Sequence, residues 1–99
     1  MAFIEAAKES DIRPGNGKTV NIKGMAIAIF NVNENFYAID NTCPHRGGPL
    51  GEGELDGKVV TCPLHGWQFD VTTGKNVMLP QNVKTYKTKV ENGNIFVEV

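Results

Sequence analysis

The chain has 99 residues, of which 40% are apolar and 21% charged, and a net charge of −1. That length makes one domain with a small core, read here as a single unit over residues 1–99. A near-neutral balance without a basic run gives no nucleic-acid partner, and the lack of a long apolar stretch or a leader pattern gives no membrane span and a cytoplasmic location.

Turn signals recur roughly every eight to twelve residues, the rhythm of an all-β chain. One helical turn is expected around Ser10 to Arg13. Gly15-Asn16-Gly17 opens a strand near Lys18 to Ile22, and Met25 to Phe30 is a continuous apolar run suited to a buried strand. Asn33-Glu34-Asn35 turns the chain into a strand at Phe36 to Ile39. Asp56-Gly57 and Asn92-Gly93 are hairpin signals of type I′, whose two central residues both need positive φ. After Tyr86 the chain alternates, with Tyr86, Thr88 and Val90 on one face and Lys87 and Lys89 on the other.

Charge is unevenly spread. Residues 34–70 carry Glu34, Asp40, Glu52, Glu54, Asp56 and Asp70 against Arg46 and Lys58, whereas residues 75–90 carry Lys75, Lys84, Lys87 and Lys89 and no acid. Two solvated faces would look like this, and so would a polar molecule that orients before docking.

The chain's two cysteines and two histidines are paired: Cys43-Pro44-His45 and Cys62-Pro63-Leu64-His65. Thiolate and imidazole are the ligands of zinc and of iron–sulfur clusters. In common zinc modules each loop or helix brings one ligand type; here each loop brings one of each. Mixed loops suit a site with two unlike metal atoms, one taking both sulfurs and the other both nitrogens. A tetrahedral Cys2His2 zinc site is the rival. Free thiols or a single disulfide are the bland alternatives. The surrounding glycines let backbone amides come close to inorganic sulfur, and Pro44 and Pro63 stiffen the loops.

The run Cys43-Pro44-His45-Arg46-Gly47-Gly48-Pro49-Leu50, then Cys62-Pro63-Leu64-His65-Gly66-Trp67-Gln68-Phe69-Asp70, then Thr73-Gly74-Lys75 strongly resembles the Rieske domain family, and within it the small standalone Rieske ferredoxins of bacterial multicomponent oxygenases. The resemblance implies an antiparallel β-sandwich or barrel-like base with a small cluster-binding subdomain over about residues 41–70. It also implies one 2Fe–2S cluster, with Cys43 and Cys62 on one iron and His45 and His65 on the other. By the same resemblance the protein is a monomeric electron carrier with no catalysis of its own. It receives an electron from a flavin-dependent reductase and passes it to an oxygenase through transient contacts. Met78-Leu79-Pro80 falls where the family places a third loop covering the cluster, and Trp67 and Phe69 read as packing beneath the second loop. The small subunit of an NAD(P)H nitrite reductase, whose domain is similar, and a zinc-bound interaction module are the alternatives.

The chain departs from the respiratory members of that family. These carry an additional cysteine in each loop, joined as a disulfide, at positions that here are Gly48 and Leu64. They also carry a serine and a tyrosine, both donors to the cluster's sulfurs, where this chain has Trp67 and Phe69. Hydrogen bonds to sulfur favour the reduced cluster, so their loss implies a low potential for a Rieske centre.

Overall fold

The computed structural model describes residues 2–44, 47–64 and 66–99. Among them, ten strands make three antiparallel sheets. The first sheet holds β1 (Phe3–Lys8), β10 (Asn94–Glu98) and β9 (Thr88–Glu91) in that order. A second sheet runs β2 (Gly17–Ile22), β3 (Met25–Val32), β4 (Asn35–Asp40) and β8 (Thr85–Tyr86). The third is small: β5 (Glu54–Asp56), β6 (Val59–Thr61) and β7 (Gln68–Asp70).

The four-stranded sheet lies between the other two, and β3 shows why. Side chains alternate faces along a strand. Ile27 and Ile29 pack into one core with Ile95 and Val97 of β10, while Ala28 and Phe30 pack into another with Val60 and Phe69 of the small sheet. Both faces of β3 are covered, so its sequence is a continuous apolar run rather than an alternation. Burying side chains of this size contributes about 1.5–3 kcal/mol each before chain entropy is counted.

Turn chemistry sets the registers. Asn92 and Gly93 have φ of 51° and 77° between the paired Glu91 and Asn94, a type I′ turn as expected. At the β5–β6 hairpin the expectation needs correction. Asp56 is itself paired, with Val59, and the turn is Gly57-Lys58, with only Gly57 at positive φ, 63°. Glycine at the first central position is the mark of type II′. Two further I′-like turns arise at Lys23-Gly24 and Asn33-Glu34. Glu34, at φ 73°, is held there by its N–H donating to Asn31 Oδ1 at 2.8 Å.

The helical turn is a 3-10 turn at Glu9–Asp11, one residue earlier than expected. The alternation beyond Tyr86 holds only in part, because the chain changes sheets there. Tyr86 pairs with Ala38 in the central sheet and Thr88 with Val97 in the first. Lys87 marks the change, and Val90 stays 40% exposed while Tyr86 and Thr88 are half-buried. Strand β1 carries no clear alternation because its register slips between Glu5 and Ala7. No helix among the described residues is long and apolar enough to cross a membrane.

A candidate metal centre between two cysteine loops

Both cysteine loops close hairpin ladders. The first continues the end of β4: Leu50 N–H donates to Asn41 C=O (2.7 Å), Thr42 bridges Pro49, and Cys43 N–H donates to Gly48 C=O (2.9 Å). The second follows the β6–β7 pair, with Cys62 N–H donating to Trp67 C=O at 2.7 Å. The C=O of each cysteine then accepts from the residue four positions on, Gly47 at 2.8 Å and Gly66 at 3.0 Å. Those glycines have φ of 73° and 76°, a conformation that side chains resist. So Cys-Pro-x-x-Gly is one loop built twice, and only the histidine moves, from the third position to the fourth.

The two thiols come to a common place. Cys43 is 1% exposed and Cys62 2%, and both belong to the core shared by Phe30, Leu50, Val60 and Phe69. The loops are in intimate contact. A Cβ on Gly48 would stand 2.5 Å from Cys62 Sγ and 3.2 Å from Leu64 Cγ. The first loop therefore passes the second loop's sulfur at a distance only glycine allows. Buried soft donors from two matched loops, backbone within reach of sulfur, and an apolar floor that excludes water all fit a thiolate-held iron–sulfur cluster. His45, Arg46 and His65 lie outside the described residues, so the expected imidazole ligands are placed by sequence alone.

Three supports hold the loops. Asn41 is buried, and its Oδ1 accepts from Gly51 N–H (2.7 Å) and Thr19 Oγ1–H (2.9 Å). This ties the first loop to β2. Gly51 has no room for a Cβ, which would meet Thr19 Oγ1 and Asn41 Oδ1. A third loop, residues 76–82, lies against β7: Val77 N–H donates to Gln68 C=O at 2.9 Å, and Asn76 bridges Phe69. Asn76 Oδ1 accepts from the N–H groups of both Met78 and Leu79 at 2.9 Å, while Asn76 N–H donates to Asn82 Oδ1 at 3.0 Å. Below β7, Asp70 caps the turn into residues 71–74: its Oδ1 accepts from Thr72 N–H (2.9 Å) and Thr72 Oγ1–H (2.6 Å), and Lys58 lies 3.5 Å away. Burial pushes the Asp70 carboxyl up, but the Thr72 bonds and the Lys58 ammonium outweigh it and hold it below the usual range.

Phe69 is fully buried, whereas Trp67 is half-buried, its ring 6.5 Å from that of Phe69. Leu64, Met78, Leu79 and Pro80 are exposed. Asn41, Thr19, Asn76 and Asn82 were invisible to motif reading, because polar side chains that hold loops follow no fixed spacing. The shared closure did leave a signal: proline after each cysteine and glycine four positions on.

Comparison with known proteins agrees with this construction. Residues 2–91 match the model of the Rieske [2Fe-2S] domain. The chain is 39% identical over 101 residues to the ferredoxin component of the naphthalene 1,2-dioxygenase system of Pseudomonas putida, covering all of this chain and 97% of that one. It is similar to a solved structure of the complex of reduced oxygenase and oxidised ferredoxin in carbazole 1,9a-dioxygenase, with TM-score 0.89 and 35% identity over 96% of this chain and 91% of that one. A structure assigned as the small subunit of an NADPH nitrite reductase shares the fold, with TM-score 0.85 and 21% identity over the full length of both. The chain belongs to the Rieske [2Fe-2S] domain family.

Proposed function

We propose that Cys43 and Cys62 hold one iron of a Rieske-type 2Fe–2S cluster, and His45 and His65 the other. In this reading residues 1–99 form one ferredoxin domain whose cluster-binding subdomain spans about 41–70. The observation that carries it is the doubled loop: the same closure delivers two buried thiols to one place, with Gly48 against the Cys62 sulfur. Such a cluster takes up and releases one electron. The protein is an electron carrier for a Rieske-type oxygenase, not a catalyst, in keeping with relatives that are ferredoxin components of dioxygenase systems. A flavin-dependent reductase is the proposed donor, and the carrier works as a cytoplasmic monomer.

The docking surface in this reading is the tip formed by the two loops, with residues 76–80 as its cover. Imidazoles reach further from the backbone than cysteine sulfurs, so an iron held by His45 and His65 would be the outer one. A short-lived electron-transfer contact needs a small apolar patch. Metal analysis of protein made with ample iron should give two irons and two acid-labile sulfides per chain. Replacing Cys62 or His65 should abolish them, and stoichiometric zinc instead would overturn the ligand assignment. Leu64→Glu should slow electron transfer to the oxygenase while leaving the visible spectrum unchanged.

A further inference from the structure

The third loop holds a buried donor with nothing to donate to. Among the described residues Asn76 Nδ2 is the one buried side-chain polar atom without a hydrogen-bond partner. The other arm of the same amide fixes its orientation. Asn76 Oδ1 accepts from the N–H groups of Met78 and Leu79, both at 2.9 Å. A swapped amide would put an NH2 group, which cannot accept, against two donors, so rotation does not relieve the orphan.

The loop itself needs only the oxygen. A carboxylate at position 76 would accept the same two bonds more strongly and leave no donor over. The remaining closures are independent of the amide nitrogen: Asn76 backbone N–H donates to Asn82 Oδ1 at 3.0 Å, and Val77 N–H to Gln68 C=O at 2.9 Å. A buried donor without a partner is a cost that native structures rarely carry. The NH2 of Asn76 therefore requires an acceptor that the chain does not supply.

Strand pairing shows on which side that acceptor lies. Asn76 bridges Phe69, which in turn pairs with Val60. Residues directly opposite on antiparallel strands carry their side chains on one face. Val60 and Phe69 are fully buried, in the core that contains Cys43 and Cys62. Asn76 starts from that same face, and its nitrogen is closed off from solvent outside the loop. The group missing from that core is the cluster, whose sulfurs are electron-rich acceptors.

We propose that Asn76 Nδ2 donates a hydrogen bond to a sulfur of the cluster, which makes Asn76 a residue that sets the reduction potential. The inference rests on the 2Fe–2S reading above. Reduction adds one negative charge to the cluster, and a donor to sulfur stabilises that charge, so Asn76 favours the reduced state. One amide in place of the two hydroxyls absent at Trp67 and Phe69 raises a low potential only in part.

The test uses the holoprotein in both redox states. Visible and electron paramagnetic resonance spectra first establish that the parent and each variant hold a Rieske cluster. A parent without one overturns the 2Fe–2S reading and this inference with it. Asn76→Leu removes the donor without adding charge. It should lower the equilibrium constant for reduction by about threefold or more, read as a fall in midpoint potential. Asn76→Asp keeps both loop bonds and loses the donor; it should fall at least as far, and it replaces Asn76→Leu if that variant loses its cluster. Asn82→Ala loosens the other end of the loop and keeps the donor, so its midpoint should stay at the parent value. Protein labelled with nitrogen-15 in the asparagine side-chain amide gives the direct reading. Electron–nuclear double resonance of the reduced state should show a nitrogen coupling that the Asn76 variants remove and Asn82→Ala retains. Parent midpoints and an unchanged coupling in the Asn76 variants would overturn the proposal and leave a buried water as the acceptor. Equal falls in the Asn76 and Asn82 variants with no coupling lost would mean that loop cover alone acts, which also defeats it. A fall confined to Asn76→Asp, with the coupling unchanged, is an effect of its charge and counts against the donor in the same way.

Discussion

Gly48 stands against Leu64 across the two cysteine loops, with the Cys62 sulfur beneath: a Cβ on Gly48 would come 3.2 Å from Leu64 Cγ and 2.5 Å from Cys62 Sγ. Respiratory relatives of this family join their loops by a disulfide at these two positions. Here an absent side chain makes the same contact possible. Gly48→Ala must therefore push the Cys62 sulfur or spread the loops. We expect it to lower iron content by half or more and to speed iron loss to a chelator, while the strands keep their circular dichroism. Full iron content with unchanged loss kinetics would show that the loops separate freely at this point.

Asn41 gives a second prediction. It joins the first cysteine loop to β2 through bonds from Gly51 and Thr19, in a buried setting. Asn41→Ala leaves the Gly51 N–H without its partner, at a cost of about 1–3 kcal/mol. The midpoint of chemical denaturation should fall accordingly. The effect on the cluster should be larger for the first loop than for the second, seen as earlier bleaching during denaturation than global unfolding. Asn41→Asp, which keeps the accepting oxygen, should recover most of the loss.

How far the fold could be read from sequence depended on how local its causes are. The β3 run and the Asn92-Gly93 turn are written in adjacent residues and were legible. The sheet change at Lys87 was not, because it depends on pairing with β4 on one side and β10 on the other, both distant in sequence. Nor does a shared face imply shared burial: Val90 stays 40% exposed because β9 is an edge strand. At the site, the two matched loops were legible from the Cys-Pro pairs and the glycine four positions after each cysteine. The supports were not, because Thr19 is 22 residues from Asn41 and only the folded sheet brings them together.

A third prediction concerns redox poise. Trp67 and Phe69 offer no hydroxyl to the cluster, and Phe69 is fully buried in the core. Without those donors the reduced state is less favoured, so the midpoint should lie at about −150 to −100 mV, the low end for Rieske centres. Voltammetry checks this, and a clearly positive midpoint would mean that other donors have taken the place of the missing hydroxyls.

The last prediction uses the bond that anchors β8 to the central sheet. Tyr86 Oη–H donates to Asp40 Oδ1 at 2.6 Å, at the end of β4 that leads into the first cysteine loop. Burial, together with the Asp40 carboxylate, pushes the Tyr86 phenol from 10.0 up to about 12. The sign follows from proton binding. The folded state holds the phenol proton more tightly than the unfolded chain, so this contribution to stability is complete below pH 10 and is lost as pH rises toward 12. Denaturation midpoints should therefore decline through that window. Tyr86→Phe should be less stable at neutral pH by about 1 kcal/mol, the net value of one hydrogen bond. Its own decline between pH 10 and 12 should be shallower than that of the parent protein, so the two curves converge. Parallel curves across the window would show that the Tyr86 proton is not what links the stability of this sheet to pH.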